Sequence, residues 1–370
     1  MKRKRPSFSA GWSLSTEESR FTPCFFYFFR KTFHTFSYFF IEFHIDRVIV
    51  LYCAEARKGH SPIWLFLFQK GGALWVNFRR NTCIPPVSVF DTKQGYWQKR
   101  KQEWKAIGLQ SDAGRDENLM GGGMKRLAEK KGCGLTGTSI FDPVLCEILY
   151  NWYSDEGSIV LDPFAGGSVR GIVAEMLGRH YIGIDLSQRQ VDANQMNADQ
   201  LGVCPAWHCD DSRNMDAYIP DGAADLVFSC PPYHNLEKYS NHPLDLSNMN
   251  YADFCEAYAD IIQKACRKLK ENRFAVFVVG DIRDNKGAYR DFIGLTKKLF
   301  RDSGLCLYNE SVLLEQYGTA PMRAGLMFSA SRKTAKVHQN VLVFYKGDLK
   351  KIKENFKDDF RKAELERIQP

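Results

Sequence analysis

The chain is short of several things that would fix its class at once. No apolar stretch in its 370 residues approaches the roughly 18 that a membrane span requires. The Phe-rich run Cys24–Phe29 is broken at once by Arg30 and Lys31, and the next stretch is interrupted by Glu42, His44, Asp46 and Arg47. The basic start is not succeeded by a clean apolar segment of the kind a signal peptide carries. There are no internal repeats. Paired metal ligands are also missing: Cys204, His208 and Cys209 cluster, but no second ligand pair lies nearby at a usual spacing. The 11 cysteines are scattered, and Cys146, Cys255, Cys266 and Cys306 sit inside apolar runs. That pattern suits buried free thiols in a reducing cytoplasm better than a disulfide framework.

Charge is scarce where it would be most telling. Residues 1–80 hold 13 Lys and Arg against 5 Asp and Glu, which accounts for the whole formal net charge of +8. The rest of the chain is balanced, so global charge says nothing about a nucleic-acid partner there, and local charge must carry that argument. Residues 1–82 are crowded with Phe, basic, and without a clear helical or alternating period. They read as an N-terminal extension of unknown role.

What is present begins at Pro85. Tyr96–Lys105 predicts a basic, aromatic helix within an accessory segment, 83–136, that also holds Gly121-Gly122-Gly123. From Phe141 strands and helices alternate, which predicts a doubly wound, mostly parallel α/β sheet spanning 137–348. The predicted strands are Ile159–Asp162, Tyr181–Asp185, Ala206–Cys209, Asp225–Ser229, Phe274–Val279, Cys306–Leu314 and Val341–Tyr345. Helices are predicted at Pro143–Trp152, Val169–Leu177, Gln188–Leu201, Tyr251–Leu269 and Tyr289–Ser303. Asp142 and Pro143 supply a cap and a first-turn proline for the first of these. Residues 349–370 read as a charged, solvated helical tail.

Two strand ends carry the chemistry. The first is Val160-Leu161-Asp162-Pro163-Phe164-Ala165-Gly166-Gly167-Ser168. Its glycines permit close backbone approach to a ligand, and the helix after it offers free N–H groups. The second is Leu226-Val227-Phe228-Ser229-Cys230-Pro231-Pro232-Tyr233, a strand that stops at a rigid Pro-Pro-aromatic corner. Between them, Asp185 ends a strand and can accept from a pair of ribose hydroxyls or cap the next helix. After the third strand, Asp211 or its neighbour Asp210 can accept from an exocyclic amine.

In this order the two runs resemble the cofactor and catalytic loops of the S-adenosylmethionine-dependent DNA amino-methyltransferases, of N4-cytosine or N6-adenine type. The first is similar to that family's Asp-Pro-Phe-x-Gly-Ser-Gly-like loop, with the Gly and Ser order altered. His338–Lys346 resembles the family's final strand, and the overall look is similar to bacteriophage-type DNA methylases. The resemblance covers roughly 85–348. It implies a seven-stranded class I methyltransferase (Rossmann-like) sheet with an antiparallel last strand. It also implies S-adenosylmethionine as methyl donor, S-adenosylhomocysteine as product, no metal, double-stranded DNA as partner, and direct in-line transfer to a flipped base. Thr138, Phe141, Asp162, Phe164, Ala165, Gly166, Gly167, Asp185, Leu186, Asp211 and Ser212 would hold the cofactor. Ser229, Cys230, Pro231, Pro232 and Tyr233 would form the catalytic corner, with backbone carbonyls accepting from the amine and Tyr233 stacking on the base.

Here the chain departs from the family. Asp, Asn or Ser normally precedes Pro-Pro-Tyr, and this chain has Cys230, a weak acceptor. Either the Pro231 carbonyl carries the orientation or Ser229 helps, with a covalent role for Cys230 as a second reading of the corner; the rival functions are an RNA base methyltransferase on the same fold and a non-catalytic nucleic-acid-binding module. The departure leaves adenine and cytosine undistinguished. Asp162 and Cys230 are 68 residues apart, a span filled by the expected strands and helices, so no recognition domain is inserted there. DNA contacts are therefore expected from Arg323, Arg332, Lys333 and Lys336, on a Gly- and Ser-containing loop, from the Trp97–Lys105 helix, and from His234–Asn250. A target sequence or a restriction endonuclease partner is not fixed by these residues.

Overall fold

The computed structural model describes residues 86–110, 114, 141–234, 242–315 and 320–356, together with the backbone of five strands between residues 26 and 75. The chain divides into two compact units, Met1–Arg79 and Arg80–Pro370. The first holds an antiparallel sheet in chain order, β1 (Phe26–Phe33), β2 (Phe36–Ile45), β3 (Val48–Glu55), β4 (Ile63–Gln69) and β5 (Gly72–Trp75). Sequence reading found no alternating period in this unit, because the Phe-rich runs are apolar at consecutive positions and hide the two-residue repeat.

The second unit is an eight-stranded sheet of order β6-β12-β13-β11-β10-β7-β8-β9. Its strands are β6 (Val89–Asp91), β7 (Ile159–Asp162), β8 (His180–Asp185), β9 (Ala206–Cys209), β10 (Ala224–Ser229), β11 (Leu269–Val279), β12 (Cys306–Leu314) and β13 (His338–Lys346). Strands β11, β10, β7, β8 and β9 run parallel, and β13 is antiparallel to both neighbours. The eighth strand is the one sequence reading lacked. β6 is three residues long, too short for a periodic signal, and pairs parallel with β12 at the edge.

The helices are α1 (Gly95–Ala106), α2 (Pro143–Tyr153), α3 (Val169–Met176), α4 (Gln188–Leu201), α5 (Tyr251–Lys268), α6 (Phe292–Asp302) and α7 (Ala320–Ser331). Asp142 caps α2, accepting from the Val144 N–H at 2.9 Å, with Pro143 in the first turn. α7 corrects the reading of a Gly- and Ser-containing loop. Gly325 and Ser329 lie inside a helix, where propensity alone disfavours Gly. Of the charged tail, 349–355 forms only a short turn and four residues of helix, and residues 357–370 lie outside the described residues.

α1 is also corrected. It reads as a basic, aromatic face for DNA, but Trp97, Arg100 and Trp104 are buried. Arg100 grips the buried Glu147 of α2 through two bonds of 2.8 and 2.7 Å, and the Trp104 indole N–H donates to the same carboxylate at 2.8 Å. These residues join α1 to α2 and are closed to an outside partner.

Candidate active site

The site is built on the C-terminal ends of β7 and β10. These strands are direct neighbours in parallel register, Leu226 opposite Val160 and Val227 opposite Leu161. The Gly166 loop and the Pro-Pro corner therefore leave the sheet side by side, where open α/β sheets bind ligands.

A single carboxylate joins them. Asp162 is fully buried. One of its oxygens accepts from the Phe164 N–H at 3.1 Å and the Ser229 hydroxyl at 2.5 Å. The other accepts from Arg170 Nε at 2.5 Å and the Tyr181 hydroxyl at 2.7 Å. Arg170 goes on to donate to the Phe164 and Ala165 carbonyls at 2.6 and 2.9 Å, and its guanidinium lies 4.6 Å from the Phe141 ring centre. The nearby Asp162 charge more than offsets burial, so the guanidinium is held protonated more firmly than usual. This corrects two expectations. Asp162 is not open to a ligand; it fixes the loop from beneath. Ser229 is fully buried, donates its hydroxyl to Asp162 and accepts the Phe164 N–H at 3.2 Å, so it is closed to a substrate amine.

The loop itself is fixed at several points. Gly166 has φ +53°, a left-handed conformation that glycine adopts freely. Its N–H donates to Asp185 at 2.9 Å, and its carbonyl accepts from the Asn194 amide of α4 at 2.8 Å. Ala165 is buried against Gly183, where an added Cβ would come within 2.9 Å of it and 2.5 Å of the Tyr181 ring. Phe164 is half-buried beside Tyr258 and Phe277. Asp185 accepts the Ser187 N–H at 2.9 Å, while Ser187 itself caps α4. Each Asp185 oxygen keeps further acceptor capacity, and burial raises its carboxyl to about 6.

Beyond Asp185 a cavity of about 640 Å³ is lined by residues that include Leu186, Cys209, Asp210, Asp211, His242 and Leu244. Its two aspartates are both partnered. The Asn214 amide and the Tyr218 hydroxyl bond Asp210 at 2.8 Å each, and the Asn214 bond holds that carboxyl below its ordinary value. Burial pushes Asp211 up, but Arg213, as close as 2.6 Å, outweighs it and keeps the carboxyl low. The Ser212 hydroxyl is turned inward onto the Pro163 carbonyl, so this expected ligand contact ties the third strand end to the first loop instead. Arg213, Asn214 and Lys264 complete the lining, which thus joins acceptors, cations and one apolar wall.

At the Pro-Pro corner Pro231 is buried, and Cys230, Pro232 and Tyr233 are half-buried. The Tyr233 hydroxyl donates to Gln339 Oε1 of β13 at 2.8 Å, and its ring meets Phe292 edge-on at 6.1 Å. Gln339 in turn donates to Glu315. Cys230 Sγ lies 3.9 Å from the Tyr233 oxygen. The next residue, His234, is buried with φ +46°, and the Met249 carbonyl accepts from its Nε2 at 3.0 Å. Arg332, Lys333 and Lys336 lie between α7 and β13. Thr138, the side chain of Arg323 and residues 235–241 lie outside the described residues. Sequence reading missed Arg170, Tyr181, Asn194 and Gln339. The available signal was Arg170, a lone cation in an apolar helix start eight residues after Asp162.

Comparison with known proteins adds a family to this geometry. Residues 143–196, which carry the Asp162 loop and Asp185, match the model of a DNA methylase family, N6_N4_Mtase. A segment of 83 residues is 34% identical to the type II methyltransferase M.HinfI of Haemophilus influenzae, covering 22% of this chain and 23% of that protein. The chain thus matches about a quarter of that relative's length. Among solved structures, a SAM-dependent methyltransferase from Methanosarcina mazei superposes with TM-score 0.38 at 13% identity, over 54% of this chain and 97% of its own. A TehB-like SAM-dependent methyltransferase from Corynebacterium glutamicum gives 0.36 at 16%, over 60% and 95%. The family match thus falls on the region that carries the Gly166 loop, which is similar to DNA methylases.

Proposed function

We propose that this protein transfers a methyl group from S-adenosylmethionine to the exocyclic amine of adenine or cytosine in double-stranded DNA. The observation that carries the reading is the parallel pairing of β7 with β10, bridged by Ser229 and Asp162, with a DNA methylase match over the first of these loops.

The donor, when bound, supplies an activated methyl on a sulfonium, so neither a metal nor a covalent enzyme intermediate is required. Asp185 would accept from the ribose hydroxyls, which its ionised form does best. Leu186 would cover one face of the adenine, and Asp210 or Asp211 would meet its amine. The Gly166 loop would approach the methionine part by its backbone.

An exocyclic amine is a poor nucleophile because its lone pair is delocalised into the ring. The corner's task is orientation. With Ser229 committed to Asp162, the carbonyls of Cys230 and Pro231 are left to accept from the amine protons. Tyr233, its hydroxyl tied to Gln339, offers a ring face of fixed pose for stacking on a base taken out of the duplex. The amine proton released after transfer goes to solvent.

The test is nucleoside analysis. Genomic DNA from cells expressing the full chain is digested and measured by mass spectrometry for N6-methyladenine and N4-methylcytosine. One of the two is expected above the level in cells without the gene. Neither, from a folded chain that binds S-adenosylhomocysteine, would overturn the reading.

A further inference from the structure

The connection between β12 and β13, residues 315–337, leaves the sheet at the catalytic edge. Leu314 pairs with His338, Asn340 pairs with Val279 at the end of β11, and Gln339 holds Tyr233. On that connection α7 contains no Asp or Glu and is exposed along nearly its whole length. Leu326 is 77% exposed and Phe328 45%. Two residues apart on a helix, they lie on opposed faces, and large apolar side chains left this open mark a surface that something covers.

The charge around α7 says what covers it. Arg332 lies over Phe328 at 5.2 Å. Lys333 reaches Gly287, where an added Cβ would meet its Nζ at 2.1 Å. Arg283 sits 3.8 Å from the Tyr289 ring centre, and Lys336 reaches the same ring at 5.9 Å. Among the described residues none of these four cations is in an ion pair. The acidic groups nearby are turned to the backbone: Asp281 accepts from Ile282 and Phe292, and Asp284 from Ala288. A second copy of this chain would set like charge against like. A DNA duplex brings phosphates to the cations and a base stack to the apolar side chains.

We propose that α7 is the element that enters the duplex, with Phe328, on the same helix face as Arg332, filling the space left by the extruded base while Arg283, Arg332, Lys333 and Lys336 hold the flanking phosphates. This rests on the proposed DNA reaction and names the part of the chain that opens its substrate.

The experiment uses the full chain, a short random-sequence duplex with one central abasic site, and the same duplex intact. In the abasic duplex the gap already exists and no base need be unstacked, so the wild-type chain should bind it about tenfold more tightly. The variant Phe328→Ala should lose that preference while keeping its affinity for the intact duplex. The side chain is largely open to solvent, so the variant's melting temperature should match the wild type. Lys333→Ala with Lys336→Ala should weaken binding to both duplexes alike. A Phe328→Ala variant that retains the preference overturns the proposal. So does a wild-type chain that sediments as a dimer which the same variant dissociates. If the preference behaves as expected but no methyl from labelled S-adenosylmethionine enters unmethylated genomic DNA, the proposed reaction fails while the duplex-entering role of α7 stands.

Discussion

Two sets of charges stand at the same end of the sheet and are treated in opposite ways. Asp162 and Arg170 are fully enclosed, and the four contacts to the carboxylate come from four different parts of the chain. Arg283, Arg332, Lys333 and Lys336 lie at or near the surface, and among the described residues none of them is in an ion pair, although Lys336 feels the Asp281 charge. A buried pair left half-complete costs several kcal/mol, so the first set can serve only the fold. An unpaired surface cation costs almost nothing to keep. The second set is therefore free to serve a partner, and it teaches where to look for one.

The largest effect should come from breaking the enclosed set. Arg170→Leu leaves the Asp162 carboxylate buried without its cation and should lower stability by about 3–5 kcal/mol in denaturant unfolding. Next is the corner. Tyr233→Ala should reduce methyl transfer on the order of 100-fold while titration calorimetry finds the affinity for S-adenosylhomocysteine unchanged. A smaller, graded effect should track pH. The Asp185 carboxyl, raised to about 6, is neutral below that value and accepts fewer hydrogen bonds. Affinity for S-adenosylhomocysteine should fall as pH drops through 6, and Asp185→Asn should bind weakly at every pH and flatten the profile. Stability moves the other way. Between the ordinary 3.8 and about 6 the folded state binds more protons than the unfolded one, so this group's contribution declines as pH rises through that window. The smallest single effect belongs to the open set: Lys336→Ala should reduce the salt dependence of DNA binding by about one ion released, with no change in melting temperature.

Much of the fold was legible because the central strands are short apolar runs ended by Gly, Pro or Asp, and the helices between them carry their own caps, as at Asp142 and Ser187. The two loops were legible for the same reason: a strand end leading into Gly166-Gly167, or into Pro231-Pro232, permits few conformations. Side-chain direction was not. Nothing in the order of residues says that Ser229 and Ser212 turn inward, because each is held by a partner distant in sequence, Asp162 and the Pro163 carbonyl. The same holds for Trp97 and Trp104: their setting amid cations suggests a surface, and only the fold brings Glu147 to the Trp104 indole. α7 was misread because Gly and Ser suggested a loop, and its exposure was invisible to any periodicity.

β6 also settles where the molecule can be divided. Its three residues lie against β12 on the far side from β13, and the Thr92 hydroxyl and N–H both reach the Leu314 carbonyl. A cut upstream of residue 86 spares this outermost strand. A cut beyond α1 would strip it away and leave the β12 rim with unmet backbone donors and acceptors, inviting strand-to-strand clumping in the test tube.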